Sequence, residues 1–165
     1  MIFSPKLRQY TLYLAAVLVL SISVPLIYIQ VNQDIILFRK GEDKFLSGQF
    51  EEAADYLQSS LEHGNQRPRL FSRLGDSYLA LGRFEDALTV YEMARKSMPD
   101  NPYLLLKFAN VLSINGKTAQ ALSVMDRILK DIPEWDQAQL IQARILTQAG
   151  RFQEAIDIYY KVLQR

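Results

Sequence analysis

Two patterns of hydrophobic and polar positions divide the chain. Residues 10–29, YTLYLAAVLVLSISVPLIYI, form an almost uninterrupted apolar run, and no charged residue stands between Arg8 and Asp34. From Asp34 onward the pattern changes to apolar residues at helical spacing, with charges between them. At a rise of about 1.5 Å per residue, the uncharged stretch spans roughly 37 Å as a helix, enough to cross a hydrocarbon core of about 30 Å with some tilt. The first pattern therefore predicts a short N-terminal tail over 1–9 and a transmembrane helix over 10–31. Eleven of the twenty residues at 10–29 are Leu, Ile or Val, and their transfer favours insertion by roughly 3–7 kcal/mol. Pro25 removes one backbone donor from that helix. Tyr10, Tyr13 and Tyr28 stand near its ends, where amphipathic rings favour the interface.

A cleaved signal peptide is the competing reading, with Ser21-Ile22-Ser23 as the small-residue cleavage site. Against it, the apolar run is longer than the usual 7–15 residues of a signal and continues through Pro25 to Ile29. Lys6 and Arg8 precede the span, whereas Asp34 comes first after it, followed by Arg39 and Lys40. The closer basic pair favours a cytoplasmic N-terminus and a C-terminal region on the outer, extracytoplasmic side, with the reverse topology as the alternative. Only residues 30–33 are left as a linker, so whatever follows must sit close to the bilayer.

The remainder repeats every 34 residues. Gly48, Gly82, Gly116 and Gly150 keep that spacing, as do Ala53, Ala87, Ala121 and Ala155, and as do Gly41, Gly75, Ala109 and Ala143. Six of the seven glycines fall on these series. A fixed period of this length predicts stacked helix hairpins, none of which buries its apolar face alone. In the second repeat the hairpin pairs a helix A of about 69–81 with a helix B of about 84–97. Gly82 ends helix A because a left-handed residue there is cheap only for glycine. Gly75 and Ala87 are small because the two helices cross closely at those positions. Pro68 and Pro102 open A helices, where a missing N–H costs nothing. The expected class is all-α: one transmembrane helix, then an α-α superhelical solenoid of about four hairpins (34–67, 68–101, 102–135 and 136–165).

The second repeat reads Phe71, Leu74-Gly75, Tyr78, Ala87, Tyr91, Ala94, Pro99. It resembles the tetratricopeptide repeat pattern at every marked position. The third follows with Leu105, Phe108-Ala109, Leu112, Ala121, Met125, Ile128 and Pro133. The first departs from the pattern at Lys44 and Asn65. The resemblance covers residues 34–165 and implies a concave groove lined by A helices that holds a peptide or a partner helix. The family's groove positions fall on Ile35, Phe38, Glu42 and Phe45; Arg69, Ser72, Asp76 and Leu79; Tyr103, Leu106, Asn110 and Ser113; and Gln137, Leu140, Arg144 and Thr147. The carboxylate-clamp pattern of chaperone receptors is not met, since Phe38, Glu42 and Tyr103 stand at three of its positions and only Lys107 matches.

Charge and composition add constraints. The 19 Lys+Arg against 18 Asp+Glu leave a net charge of +1, which excludes the basic footprint of a nucleic-acid binder. The absence of cysteine excludes disulfides and thiolate chemistry, and one histidine, His63, cannot make a multi-histidine metal site. No nucleotide-binding, zinc-hydrolase or nucleophile-elbow motif occurs, so neither an enzyme nor a cofactor is expected. His63 and the acidic pairs Glu51-Glu52 and Glu85-Asp86 read as helix-terminal charges. Arg39, Arg73 and Lys107 are 34 apart and form a row of cations near the groove, suited to an acidic segment unless Glu42, Asp43 and Asp76 neutralise them. Trp135 reads as a packing or interface anchor, with sugar stacking as the lesser option. With no further helix following in the sequence, Ile156, Tyr159, Tyr160 and Leu163 are expected to leave an apolar surface for a partner or a second copy. The reading that results is a membrane-anchored scaffold for protein partners near the bilayer; the alternative is a groove that takes a small ligand or glycan for an export or biogenesis system.

Overall fold

The computed structural model describes the backbone of residues 5–164 and the side chains of Tyr10 and of 13–164. Residues 1–4, Arg165 and the side chains of Lys6 and Arg8, on which the expected orientation rests, lie outside that description. Nine helices, α1 to α9, occur among the described residues.

Helix α1 spans Pro5–Val31 and runs through Pro25 without ending there. It takes in the last five residues of the expected tail. None of the segment Tyr13–Val31 is buried against the rest of the protein, and Ser21 Oγ satisfies itself by donating to Leu18 O at 2.8 Å. The junction is shorter than the expected linker over 30–33. α2 (Gln33–Leu46) begins after a single non-helical residue, Asn32. Asn32 donates both its backbone N–H (3.0 Å) and its Nδ2 (2.9 Å) to Tyr28 O. Its own carbonyl accepts from Ile35 and Ile36 N–H. Backbone bonds thus run through Asn32 in both directions, and its side chain adds a second donor to Tyr28 O.

The rest is four hairpins: α2 with α3 (Phe50–Glu62), α4 (Pro68–Ala80) with α5 (Phe84–Ser97), α6 (Pro102–Ile114) with α7 (Thr118–Asp131), and α8 (Asp136–Gln148) with α9 (Phe152–Leu163). Gly48, Gly82, Gly116 and Gly150, which separate the two helices of each hairpin, all take φ between 70° and 74°. At Gly82 the N–H bonds Leu79 O and the following Arg83 N–H reaches Tyr78 O, closing the last carbonyls of α4. The B helices begin with acidic residues in their first turn at Glu51-Glu52, Glu85-Asp86 and Glu154, where the helix dipole favours them. His63 caps α3, its Nδ1 2.7 Å from Ser59 O.

The main core runs between A and B helices from Phe38 to Ile145, and Ala143, Leu146 and Ala155 form a separate small cluster inside the last hairpin. Leu57, Leu70, Phe71, Leu74, Tyr91, Met125 and Ile145 are within 1% of complete burial, each contributing about 1.5–3 kcal/mol on burial. The small positions are where helices cross. A methyl group on Gly41 would lie 2.6 Å from Leu57 Cγ, and one on Gly75 would strike the ring of Tyr91. The backbone of each A helix also comes close to the A helix of the next repeat, α2 to α4, α4 to α6 and α6 to α8, whereas among the described residues no two B helices approach as closely. The stack therefore bends toward its A helices, which gives it an inner face.

Candidate functional site

The inner face is built from A-helix positions one repeat apart, and much of it is occupied by the protein's own side chains. Phe38, Leu106 and Ser113 are less than 9% exposed, so these expected groove positions form a sealed floor. Above that floor a polar ladder crosses from repeat to repeat. Glu42 holds Arg69 at 2.6 Å and Arg73 at 3.3 Å, and the Arg73 guanidinium lies 4.6 Å from the centre of the Phe45 ring. Asp76 accepts from Lys107 Nζ at 2.8 and 2.9 Å and from the Tyr91 hydroxyl at 3.0 Å. Asn110 bonds Arg144, and Ser113 bonds Gln148.

Tyr91 explains why this ladder is anchored at Asp76. Its ring is buried against Gly75, and burial, reinforced by the neighbouring carboxylate, pushes its phenol far above the ordinary tyrosine range. It therefore remains a donor at any physiological pH and holds Asp76 in place for Lys107.

Of the expected cation row, Arg73 and Lys107 are thus paired, with Glu42 and Asp76 respectively, while Arg39 is exposed and Asp43 forms no ion pair among the described residues. Glu42 and Asp76, two of the three acids that the sequence offered as neutralisers, thus take up Arg73 and Lys107, each pair joining residues 31 apart. The offset comes from how one A helix leans on the next.

Two surfaces remain open. On α9, Ile156 (44% exposed), Tyr159 (36%), Tyr160 (64%) and Leu163 (81%) face water. The position of Ile156 is filled by Ala54 and Leu88 in the first two repeats, which are 1% and 5% exposed. The second surface lies at the start of α6, where Tyr103 meets Trp135 edge-to-face with ring centres 5.0 Å apart. The sequence marked both residues, though not as a pair.

A stack of two-helix units of constant length, bent toward one helix of each unit, is an α-solenoid. The sequence matches the tetratricopeptide repeat family model over residues 44–106 and a second tetratricopeptide repeat model over residues 106–165. Together these cover well over half of the chain, which belongs to the tetratricopeptide repeat family. The solved structure of MamA, residues 41 to the end, from Desulfovibrio magneticus RS-1 is similar, with a TM-score of 0.72 at 19% identity over 81% of this chain and 75% of that one. MamA AMB-1 gives 0.65 at 18% identity over 78% of this chain and 70% of that one. YrrB, described as a tetratricopeptide repeat protein with an unusual peptide-binding site, gives 0.67 at 19% over 75% and 64%. Among curated proteins none matches the sequence. The repeats make the chain a protein-interaction scaffold.

Proposed function

We propose that this scaffold is an adaptor held in a membrane by α1, which gathers protein partners close to the bilayer and performs no chemistry of its own. One observation carries the reading: an apolar helix with no burial along Tyr13–Val31 joins the repeat stack through Asn32 alone. A soluble protein would leave that surface in water at a cost that the chain has no internal partner to offset. So short a junction confines the repeats to the membrane surface and favours partners that are themselves membrane-bound. The N-terminus is cytoplasmic and the repeats extracytoplasmic in this reading, as the closer basic pair, Lys6 and Arg8, favours.

The free face of α9 then serves as an interface, for a partner helix or a second copy, because its apolar side chains face water, Ile156 among them, at a position where the first two repeats bury Ala54 and Leu88. The first test is fractionation: the full chain should stay with membranes through alkaline carbonate and leave them only in detergent, and release by carbonate would overturn the anchor. A pull-down in mild detergent with mass spectrometry should recover a stoichiometric protein partner. Tyr160→Glu combined with Leu163→Glu should reduce the assembly size seen by light scattering. An unchanged size would remove α9 from the interface.

A further inference from the structure

The junction between the third and fourth repeats carries side chains that the other junctions lack. Tyr103 is 67% exposed although it packs against Trp135. With Pro102, Ile132 and Glu134 the two rings line an open hollow of about 270 Å³. Across Pro102 and Ile132 it continues into a second recess of about 100 Å³ that includes Asp100 and Asp131. Three carboxylates, at 100, 131 and 134, thus border one continuous surface. The cation among its lining residues, Arg127, is already engaged by Asp100 Oδ1 at 2.7 Å and by Pro99 O at 3.3 Å.

The repeat itself supplies the control. At the position of Tyr103 the second and fourth repeats carry Arg69 and Gln137, and at the position of Trp135 the earlier repeats carry Arg67 and Asn101. The same backbone folds without either ring, so stacking of the hairpins does not require the aromatic pair. An open aromatic face and a carboxylate border have one preference in common, a cation: the ring quadrupole attracts it and the acids complement its charge. An acidic ligand would be repelled, and a purely apolar one would strip water from the carboxylates without replacing it.

We propose that this hollow docks an arginine- or lysine-bearing stretch of a partner polypeptide, with the cationic side chain laid against Tyr103 and Trp135 and its charge facing Asp131. The inference rests on the scaffold reading for the existence of a protein partner and is independent of the membrane anchor.

Trp135 is the only tryptophan in the chain, so its emission reports on the site directly. The full chain, in a non-ionic detergent free of choline, is titrated with a tryptophan-free Gly/Ser peptide of about twelve residues bearing three arginines. Parallel titrations use the same peptide with three glutamates, the uncharged peptide, and phosphocholine. A saturable emission change is expected with the arginine peptide alone. Tyr103→Ala and Asp131→Asn should each weaken it about fivefold, the size of one exposed cation–π or charge contact. No saturable change, an equal response to the uncharged peptide, a response to phosphocholine without one to the arginine peptide, or unchanged affinity in both variants would overturn the proposal. Far-UV circular dichroism checks the fold; should Tyr103→Ala lose helicity, Asp131→Asn, an exposed carboxylate, carries the test. A pull-down with Asp131→Asn separates the two readings: loss of one partner supports the hollow as a dock, whereas retention of every wild-type partner rejects the hollow and leaves the scaffold standing.

Discussion

At the scale of single residues, the pairing of a small A-helix position with its B-helix partner shows how one contact tunes each repeat. Gly75 receives Tyr91, which disappears into the core, and Gly41 receives Leu57. Where the small residue is alanine, the partner changes its behaviour. Met125 opposite Ala109 is buried by virtue of a flexible side chain, whereas Tyr159 opposite Ala143 is 36% exposed. Gly75→Ala should therefore destabilise the fold by about 1–3 kcal/mol through overpacking. In a Tyr91→Met background the same change should cost at least about 1 kcal/mol less, since the third repeat already accommodates that combination. Denaturant unfolding of the four proteins in this cycle measures the coupling, and additivity would refute it. Tyr91→Phe keeps the packing but removes a hydrogen bond to Asp76, and should cost about 1–2 kcal/mol. The glycines and the 34-residue period were legible because they report local backbone geometry and close approach. The neutralisation of Arg73 and Lys107 was legible as a set of nearby acids, but which acid meets which cation was not, because that depends on the tilt between neighbouring hairpins.

At the scale of elements, three of the four B helices have an N-cap residue that bonds an acid three residues on, and the third repeat, with no acid in the first turn of α7, does not. Gln49, Arg83, Lys117 and Arg151 are the four N-cap residues. Arg83 binds Asp86 at 2.7 Å and Arg151 binds Glu154 at 2.6 Å, each three residues on. The hydrogen bond from Arg151 holds the Glu154 carboxyl below the ordinary carboxylate range. Because the folded-state value is the lower one, any support this pair gives α9 is complete above the ordinary glutamate pKa and is lost as pH falls through the lowered value. A carboxyl-detected NMR titration should place Glu154 below an unpaired glutamate, and Arg151→Ala should restore the ordinary midpoint. An unshifted Glu154 in the wild type would show that the pair does not persist in solution. Helix positions and their acidic first turns were evident from the sequence. The one-residue join between α1 and α2 was not, because the largely polar stretch at 30–33 reads equally as a linker or as helix, and the backbone bonds that carry the helix through Asn32 leave no mark in the sequence.

At the scale of the whole molecule, the two ends of the stack differ. On α2, Lys40 and Asp43 are exposed at positions where the later repeats bury Leu74 and Phe108, and Ser77, Val111 and Ile145. That end is charged, and it opposes head-to-tail stacking of copies because such contact would strip water from Lys40 and Asp43. The α9 end presents apolar side chains. Any self-association through α9 is therefore expected to be two-fold and closed at a dimer, not filamentous. Light scattering across a concentration series should show a plateau at two copies, and continued growth in mass would contradict it.

The near-continuity of α1 and α2 has one more consequence. A helix advances about 100° per residue, so a single alanine inserted after Asn32 would turn the entire stack about its mooring by roughly that angle and swing the Tyr103 hollow to another compass bearing over the lipid. Seven inserted residues would bring it almost back to its original heading. In the anchored reading, complex formation in the membrane should follow that rotational phase and not the length of the insert.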